Sequence, residues 1–412
     1  MNDAIGHPTQ RQWWPLILAA SAILLITMGA RQTSGLFLIP ITQSTGVTVV
    51  AMSFALAIGQ FVFGAAQPVF GAIADKFGAV KVVIAGAIML ALGCLLTPFA
   101  TSSLGLLLTM GVLSAAGAAA GSFSILIGIA AQRLPPEKRS FAAGLINAGG
   151  SVGQSVFAPL VQLIIGAAGW ASAMFATAFA ALLTIPLVLP LRRSMAAGAS
   201  AAASLAPVPH LSLSEQLRVA LRDPSYLCLH AGFFTCGFHI AFLVTHLPND
   251  LRLCGLGPEV AASSLMLIGL FNVAGSLAAG WLGQRYRMKY LLALIYASRA
   301  VIVAIYVVMP KTALNVYLFA GALGFTWLAT VPPTSGLVGK LFGTRYLATL
   351  FGLTLLSHQI GGFLGAWLGG LALAQTGSYS WIWYADIVLA LLAAAANLPI
   401  REARVRAQLA PA

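Results

Sequence analysis

Gly71-Ala-Ile-Ala-Asp75-Lys76-Phe-Gly78-Ala-Val-Lys81 joins two long apolar runs, and its reading decides the fold. Gly71 and Gly78 permit close approach of helices and a tight turn, while Asp75 is placed to pair with a cation or to cap the amino terminus of a neighbouring helix. A degenerate copy, Gly280-Trp-Leu-Gly-Gln284-Arg285-Tyr-Arg287, returns about 209 residues later. Working outward, Gly29, Arg31 and Pro40 return as Gly237, His239 and Pro248, and Gly144 with Gly153 returns as Gly352 with Gly361, at an offset of about 208. Three matches at a nearly constant offset describe two homologous units, a construction in which substrate binds between the halves near the midplane of a membrane.

The composition agrees. Of 412 residues, 59% are hydrophobic and 8% charged, where a soluble domain carries charge on about a quarter of its residues. Apolar runs recur along the whole length, which excludes a soluble enzyme on a single anchor, a disordered chain and a collagen-like repeat. They span approximately 15–40, 50–74, 80–99, 104–131, 141–166 and 169–190, then 225–248, 258–283, 288–309, 313–339, 347–374 and 380–400. Twelve helices of about 24 residues leave roughly 120 positions for loops, too few for a folded domain outside the bilayer. The expected organisation is an amino-terminal six-helix bundle over 1–191, a linker over 192–224 and a carboxyl-terminal bundle over 225–412. The linker turns Ala/Ser/Pro-rich and then amphipathic, with Leu213, Leu217 and Leu221 among Glu215, Arg218 and Arg222.

A net charge of +13 would point to nucleic acid in a soluble protein, but its distribution decides otherwise. With a cytoplasmic amino terminus, the inner segments hold Arg11; Lys76 and Lys81; Arg133, Lys138 and Arg139; Arg192, Arg193, Arg218 and Arg222; Arg285, Arg287 and Lys289; Lys340 and Arg345; Arg401, Arg404 and Arg406. That is 18 of 22 cations, against Arg252 and Lys311 outside, so the positive-inside rule places both termini in the cytoplasm. A cleaved signal peptide is not expected, because losing the first run would break this alternation. Cys94, Cys228, Cys236 and Cys254 lack metal-ligand spacing and read as small core residues.

With the loop, the twelve spans and the repeat together, the chain resembles the major facilitator superfamily, in which this loop cluster (Gly71, Asp75, Lys76, Gly78, Lys81) braces the conformation open to the outside. More narrowly, Lys138-Arg139-x-x-Ala142-x-Gly144-x-x-x-Ala148-Gly149 and Gly35-Leu-Phe-Leu-Ile-Pro40 resemble the bacterial branch of monocarboxylate porters. The resemblance implies carriage of a carboxylate, yet two features depart from it. The acidic-glycine-aromatic signature of eukaryotic members is missing from span one, and Ser276 stands where the family's span-eight Arg grips carboxylate.

Charges inside hydrocarbon cost about 2.5–3.5 kcal/mol on insertion scales, so an intramembrane cation normally faces a cavity or a partner. Arg31 is the leading candidate for contact with substrate, with an interfacial, snorkelling position as the alternative. His239 occupies its matching place in the second half. His358 and Gln359 interrupt span eleven, and Asn147 in span five and Asn272 in span eight serve either the substrate or helix packing. Arg299 in span nine reads as a structural group, and Trp327 and Tyr296 as pocket lining or aromatic packing. Of nine acids only Asp386 enters a span, so the interior field favours an anion and argues against a drug/proton antiporter built on an intramembrane carboxylate.

No nucleotide cradle is present, so a gradient supplies the energy and no cofactor or metal is expected. The expectation is an all-α transporter in a bacterial inner membrane, monomeric, taking a small organic anion, most simply a monocarboxylate, by alternating access. A proton carried on His239 or His358 is one mode, beside uniport and exchange. The alternatives are an exporter of drugs or of a toxic inorganic species, and a nontransporting receptor of the same fold.

Overall fold

The structure is a computed structural model that describes residues 13–192 and 211–402; Asp3, Arg11, Arg193, Arg404, Arg406 and the Ala/Ser/Pro-rich part of the linker lie outside the described residues. Among the described residues, eleven helices are long and apolar enough to cross a membrane, and one of them, Pro136–Arg192, is two spans in sequence. Gly169 is the place where that helix leaves helical geometry, at φ 82° and ψ 165°, a conformation that Cβ-bearing residues avoid. It separates spans five and six where the apolar runs part, giving twelve crossing segments in two pseudo-symmetric halves.

Three spans differ from unbroken runs. Span one ends earlier than expected, at Gln32, and continues as a tight turn (Ser34–Phe37) and a short helix (Leu38–Thr45). Span four passes through a π-helical stretch, Leu107–Ser114, and breaks after Ala120 before resuming at Phe123–Arg133. Span ten runs Ala313–Thr326, breaks, and resumes at Val331–Phe342. The two breaks fall at equivalent places in the repeat, and side chains meet the freed backbone groups. At the first, Thr27 Oγ1 donates to the Gly121 carbonyl at 2.8 Å and Ser122 Oγ to Gln67 Oε1 at 2.9 Å.

The halves meet along span two against span eleven and span five against span eight. Small residues set how closely they approach. A Cβ on Gly71 would stand 2.6 Å from the Ala348 carbonyl oxygen, and one on Gly280 would stand 2.8 Å from that of Ser140. Ser140 and Ala348 are themselves related by the repeat, so the contact occurs twice about one pseudo-twofold axis.

The linker ends in a helix, Leu213–Arg222, closed by a capping box. Ser212 gives its hydroxyl and its backbone N–H to the Glu215 carboxylate, both at 2.7 Å, which holds that carboxyl below the usual range. Its contribution is present above the unfolded pKa and is lost as pH falls through the folded one. In Ser212→Ala, amide exchange over residues 213–222 should accelerate about five- to tenfold with the spans unaffected, as read by hydrogen–deuterium exchange mass spectrometry.

Candidate functional site

Arg31 lies in the last turn of span one, half-buried, with its guanidinium 3.9 Å over the Phe63 ring and donating to Gln60 Oε1. It lines a partly open pocket formed within the first half by spans one, two, three, four and six. Gln60, Ser34, Ser114 and Thr177 supply polar atoms, and Phe37, Leu56, Leu90, Met110 and Met174 supply an apolar wall; no acidic side chain lines it. The π-helical stretch forms one wall, a local geometry that recurs at functional sites. The Arg31 guanidinium is thus a cation above a largely apolar chamber, with a neutral amide as its hydrogen-bond partner.

The second half solves the same position differently. His239 is fully buried, with Nδ1 2.5 Å from Asp386 Oδ2 of span twelve, itself fully buried. Arg299 is fully buried as well, giving Nη2 to the carbonyls of Thr326 (2.6 Å) and Trp327 (3.0 Å) at the span-ten break. At the offset of about 208, Ala178 stands in the first half where Asp386 stands in the second, and Ala91 where Arg299 stands. The second half therefore carries its own counter-ions, while the first half has small residues and a cavity.

Asn147 and Asn272 are both fully or nearly fully buried and join the halves. Asn147 Nδ2 donates to Ser276 Oγ at 2.7 Å and to the Leu328 carbonyl at 3.2 Å; Asn272 donates to Ser151 Oγ at 2.6 Å and accepts the Leu328 N–H at 2.9 Å. Both polar groups of Leu328, exposed by the span-ten break, are thereby satisfied. Asn272→Ala leaves that buried N–H unpaired, and the unfolding free energy should fall by about 1–2 kcal/mol. A double-mutant cycle with Ser151→Ala, followed by thermal denaturation in detergent, measures the coupling.

His358 Nδ1 lies 3.4 Å from Gln359 Oε1, with its ring 5.4 Å from that of Phe233. Gln359 faces span two across the interface, where a Cβ on Gly64 would stand 2.6 Å from its Cβ. Arg31, His239 and His358 do not line one cavity: every residue lining the Arg31 chamber belongs to the first half.

The loop residues form a latch between the halves. Asp75 accepts from Thr349 N at 2.9 Å and Thr349 Oγ1 at 2.7 Å, capping the start of span eleven, Leu347–Thr376. Gln132 Nε2 adds bonds to the carbonyls of Thr344 and Arg345 at 3.1 and 3.2 Å. Gly78 ends span two at φ 97°. Lys76 and Lys81 are exposed, and Arg139 Nε donates to the Leu134 carbonyl at 3.0 Å.

Reading the residues alone missed Gln60, Gln132, Ser151 and Thr349, named Ser276 only as a small residue in place of a cation, and gave His239 no acid. Their signal is polarity within apolar runs, which is shared by many hydroxyl and amide groups that only brace helices.

Two helical halves seamed along a pseudo-twofold axis, each with buried polar groups, are the build of a membrane carrier. A family model described as Major Facilitator Superfamily matches residues 20–366. The chain belongs to the major facilitator superfamily, and it is a transporter rather than an enzyme. It is 29% identical to monocarboxylate transporter 13 of Rattus norvegicus over 389 residues, covering 91% of this chain and 86% of the relative. It is 25% identical to the oxalate:formate antiporter of Oxalobacter formigenes, covering 92% and 89%. Among solved structures, the proton:xylose symporter XylE superposes with a TM-score of 0.74 at 10% identity, covering 97% and 99% of the two chains. The E. coli fucose:proton symporter FucP gives 0.64 at 17%, covering 94% and 99%.

Proposed function

We propose that this chain carries a small organic anion, most simply a monocarboxylate, across a bacterial inner membrane by rocking of its two halves, driven by a gradient and working as a monomer with both termini in the cytoplasm. The observation that carries the reading is Arg31 above a cavity whose lining holds no carboxylate. A guanidinium in hydrocarbon needs negative charge, and a carboxylate from solution meets that need where the second half uses Asp386. The apolar wall suits a cargo with one charged end and a hydrocarbon body. The names of the relatives, monocarboxylate transporters and an oxalate:formate antiporter, support the same class. Substrate contacts are assigned to Arg31, with His239, His358, Gln359, Asn147 and Asn272 serving the path between the halves, and proton co-transport is the favoured coupling.

A ligand that binds only the folded state raises the melting temperature by mass action. Purified protein screened by thermal shift should be stabilised by lactate, pyruvate or oxalate and left unmoved by organic cations. The largely apolar lining favours one rival, an exporter of drugs or of a toxic inorganic species. Stabilisation by a drug panel without any by carboxylates would replace the anion reading with that one.

A further inference from the structure

We propose that the His239–Asp386 pair is the proton-binding site of this carrier, covered by the Trp327 turn of span ten and uncovered when Asn147 of the other half lets go of that turn. The pair is fully buried at 2.5 Å, yet His239 Nε2 and Asp386 Oδ1 have no hydrogen-bond partner. Arg299, equally buried, uses Nη2 alone, leaving Nε and Nη1 without partners. A purely structural ion pair is expected to have its polar atoms satisfied, since each unpaired one costs about 1–3 kcal/mol. Here several unpaired donors and acceptors belong to one cluster.

The charge of the cluster fixes what it can accept. Arg299 of span nine acts on the pair directly, with Cys236 of span seven, Tyr296 of span nine and His358 of span eleven grouped around Arg299 and one another; the span-ten break sets the uncharged Trp327 against His239 and Thr330 against Cys236. One guanidinium and one carboxylate leave the cluster without formal net charge. One added proton makes it positive in a medium of low permittivity, a state favoured when an anion is nearby and opposed when it is not. Proton uptake at this place is favoured by an anion that reaches the space between the halves. That last step rests on the anion reading above; the binding of the proton does not.

Access is set by the broken helix. The Trp327 ring stands edge-on to the His239 ring, centroids 6.0 Å apart. Its backbone carbonyl is held by Arg299, and the next residue, Leu328, is gripped by Asn272 through its N–H and by Asn147 of the first half through its carbonyl. Parting of the halves at span five removes the Asn147 bond, the one hold on the turn that comes from the other half, and leaves the turn on Arg299 and Asn272 alone. The arrangement links half-to-half movement to exposure of the pair through named bonds rather than through distance.

The test needs no cargo. The full chain, labelled with 15N-histidine in nanodiscs, is titrated from about pH 5 to pH 9, the window in which imidazole changes charge, and His239 is assigned by its loss in His239→Gln. We expect the His239 signals to pass from neutral to charged positions, with the midpoint in Asp386→Asn lowered by at least about one pH unit because the carboxylate no longer favours the cation. A His239 signal that stays fixed throughout, or a midpoint unchanged in Asp386→Asn, overturns the proposal. If Asp386→Asn does not fold, Asp386→Glu serves, with any displacement of the midpoint as support and an identical midpoint as refutation. A companion measurement separates the two readings: a pH gradient should drive labelled lactate into wild-type vesicles and not into His239→Gln vesicles. Titration without any lactate or pyruvate uptake removes the anion reading and leaves the proton site standing.

Discussion

Arg31→Ala is expected to lower uptake of labelled lactate or pyruvate into proteoliposomes by about 30- to 100-fold, the loss that follows from removing a charge-assisted hydrogen-bond pair of about 2–3 kcal/mol. Stability should move the other way or not at all. The guanidinium is bonded to a neutral amide and stacked on Phe63, without a carboxylate, so deleting it relieves the cost of holding a cation in hydrocarbon. Arg31→Lys keeps the charge and forfeits the planar fork, and an intermediate rate is expected. The measurement is initial uptake at matched protein density, with the melting temperature of the same preparations. Uptake in Arg31→Ala equal to the wild type would take Arg31 out of the site.

Gly71→Leu should have a comparably large effect by another route. Its first added carbon already falls 2.6 Å from the Ala348 carbonyl oxygen and 2.8 Å from the Thr349 nitrogen, both backbone atoms of span eleven. A backbone cannot rotate aside as a side chain does, so the halves must stand apart at that end, and Asp75 is drawn away from Thr349. Oxidative cross-linking between cysteines placed at Gln132 and Thr344, in a background with the exposed Cys254 replaced, should fall at least about tenfold, and transport should stop with it. Undiminished cross-linking would mean that the interface accommodates the bulk and that Gly71 does not set the approach.

The spans and the repeat were legible because each leaves a mark in composition: apolar runs, loop cations, and glycines returning at a fixed offset. The breaks were not read, although Pro332 and Pro333 open the second part of span ten in the positions a helix start accepts. They lie within a run of unbroken hydrophobicity, and hydropathy does not distinguish a helix from two half-helices end to end. The candidate residues stood out by type, while their pairings were hidden. His239 and Asp386 are 147 positions apart, and nothing local links span seven to span twelve. The repeat sets His239 at the place that matches Arg31; the fold gives one a chamber and the other a carboxylate. Arg299, expected as a structural group, is found fully buried and bonded to the carbonyls of the broken helix.

Four hydrogen bonds, two at Asp75 and two at Gln132, fasten the loop ends of the halves. At about 1 kcal/mol net for each, the fastening is worth roughly 4 kcal/mol. A solute that prefers the unfastened form by about a thousandfold would offset it in full. A bias that shallow lies within reach of the binding energy of one small solute.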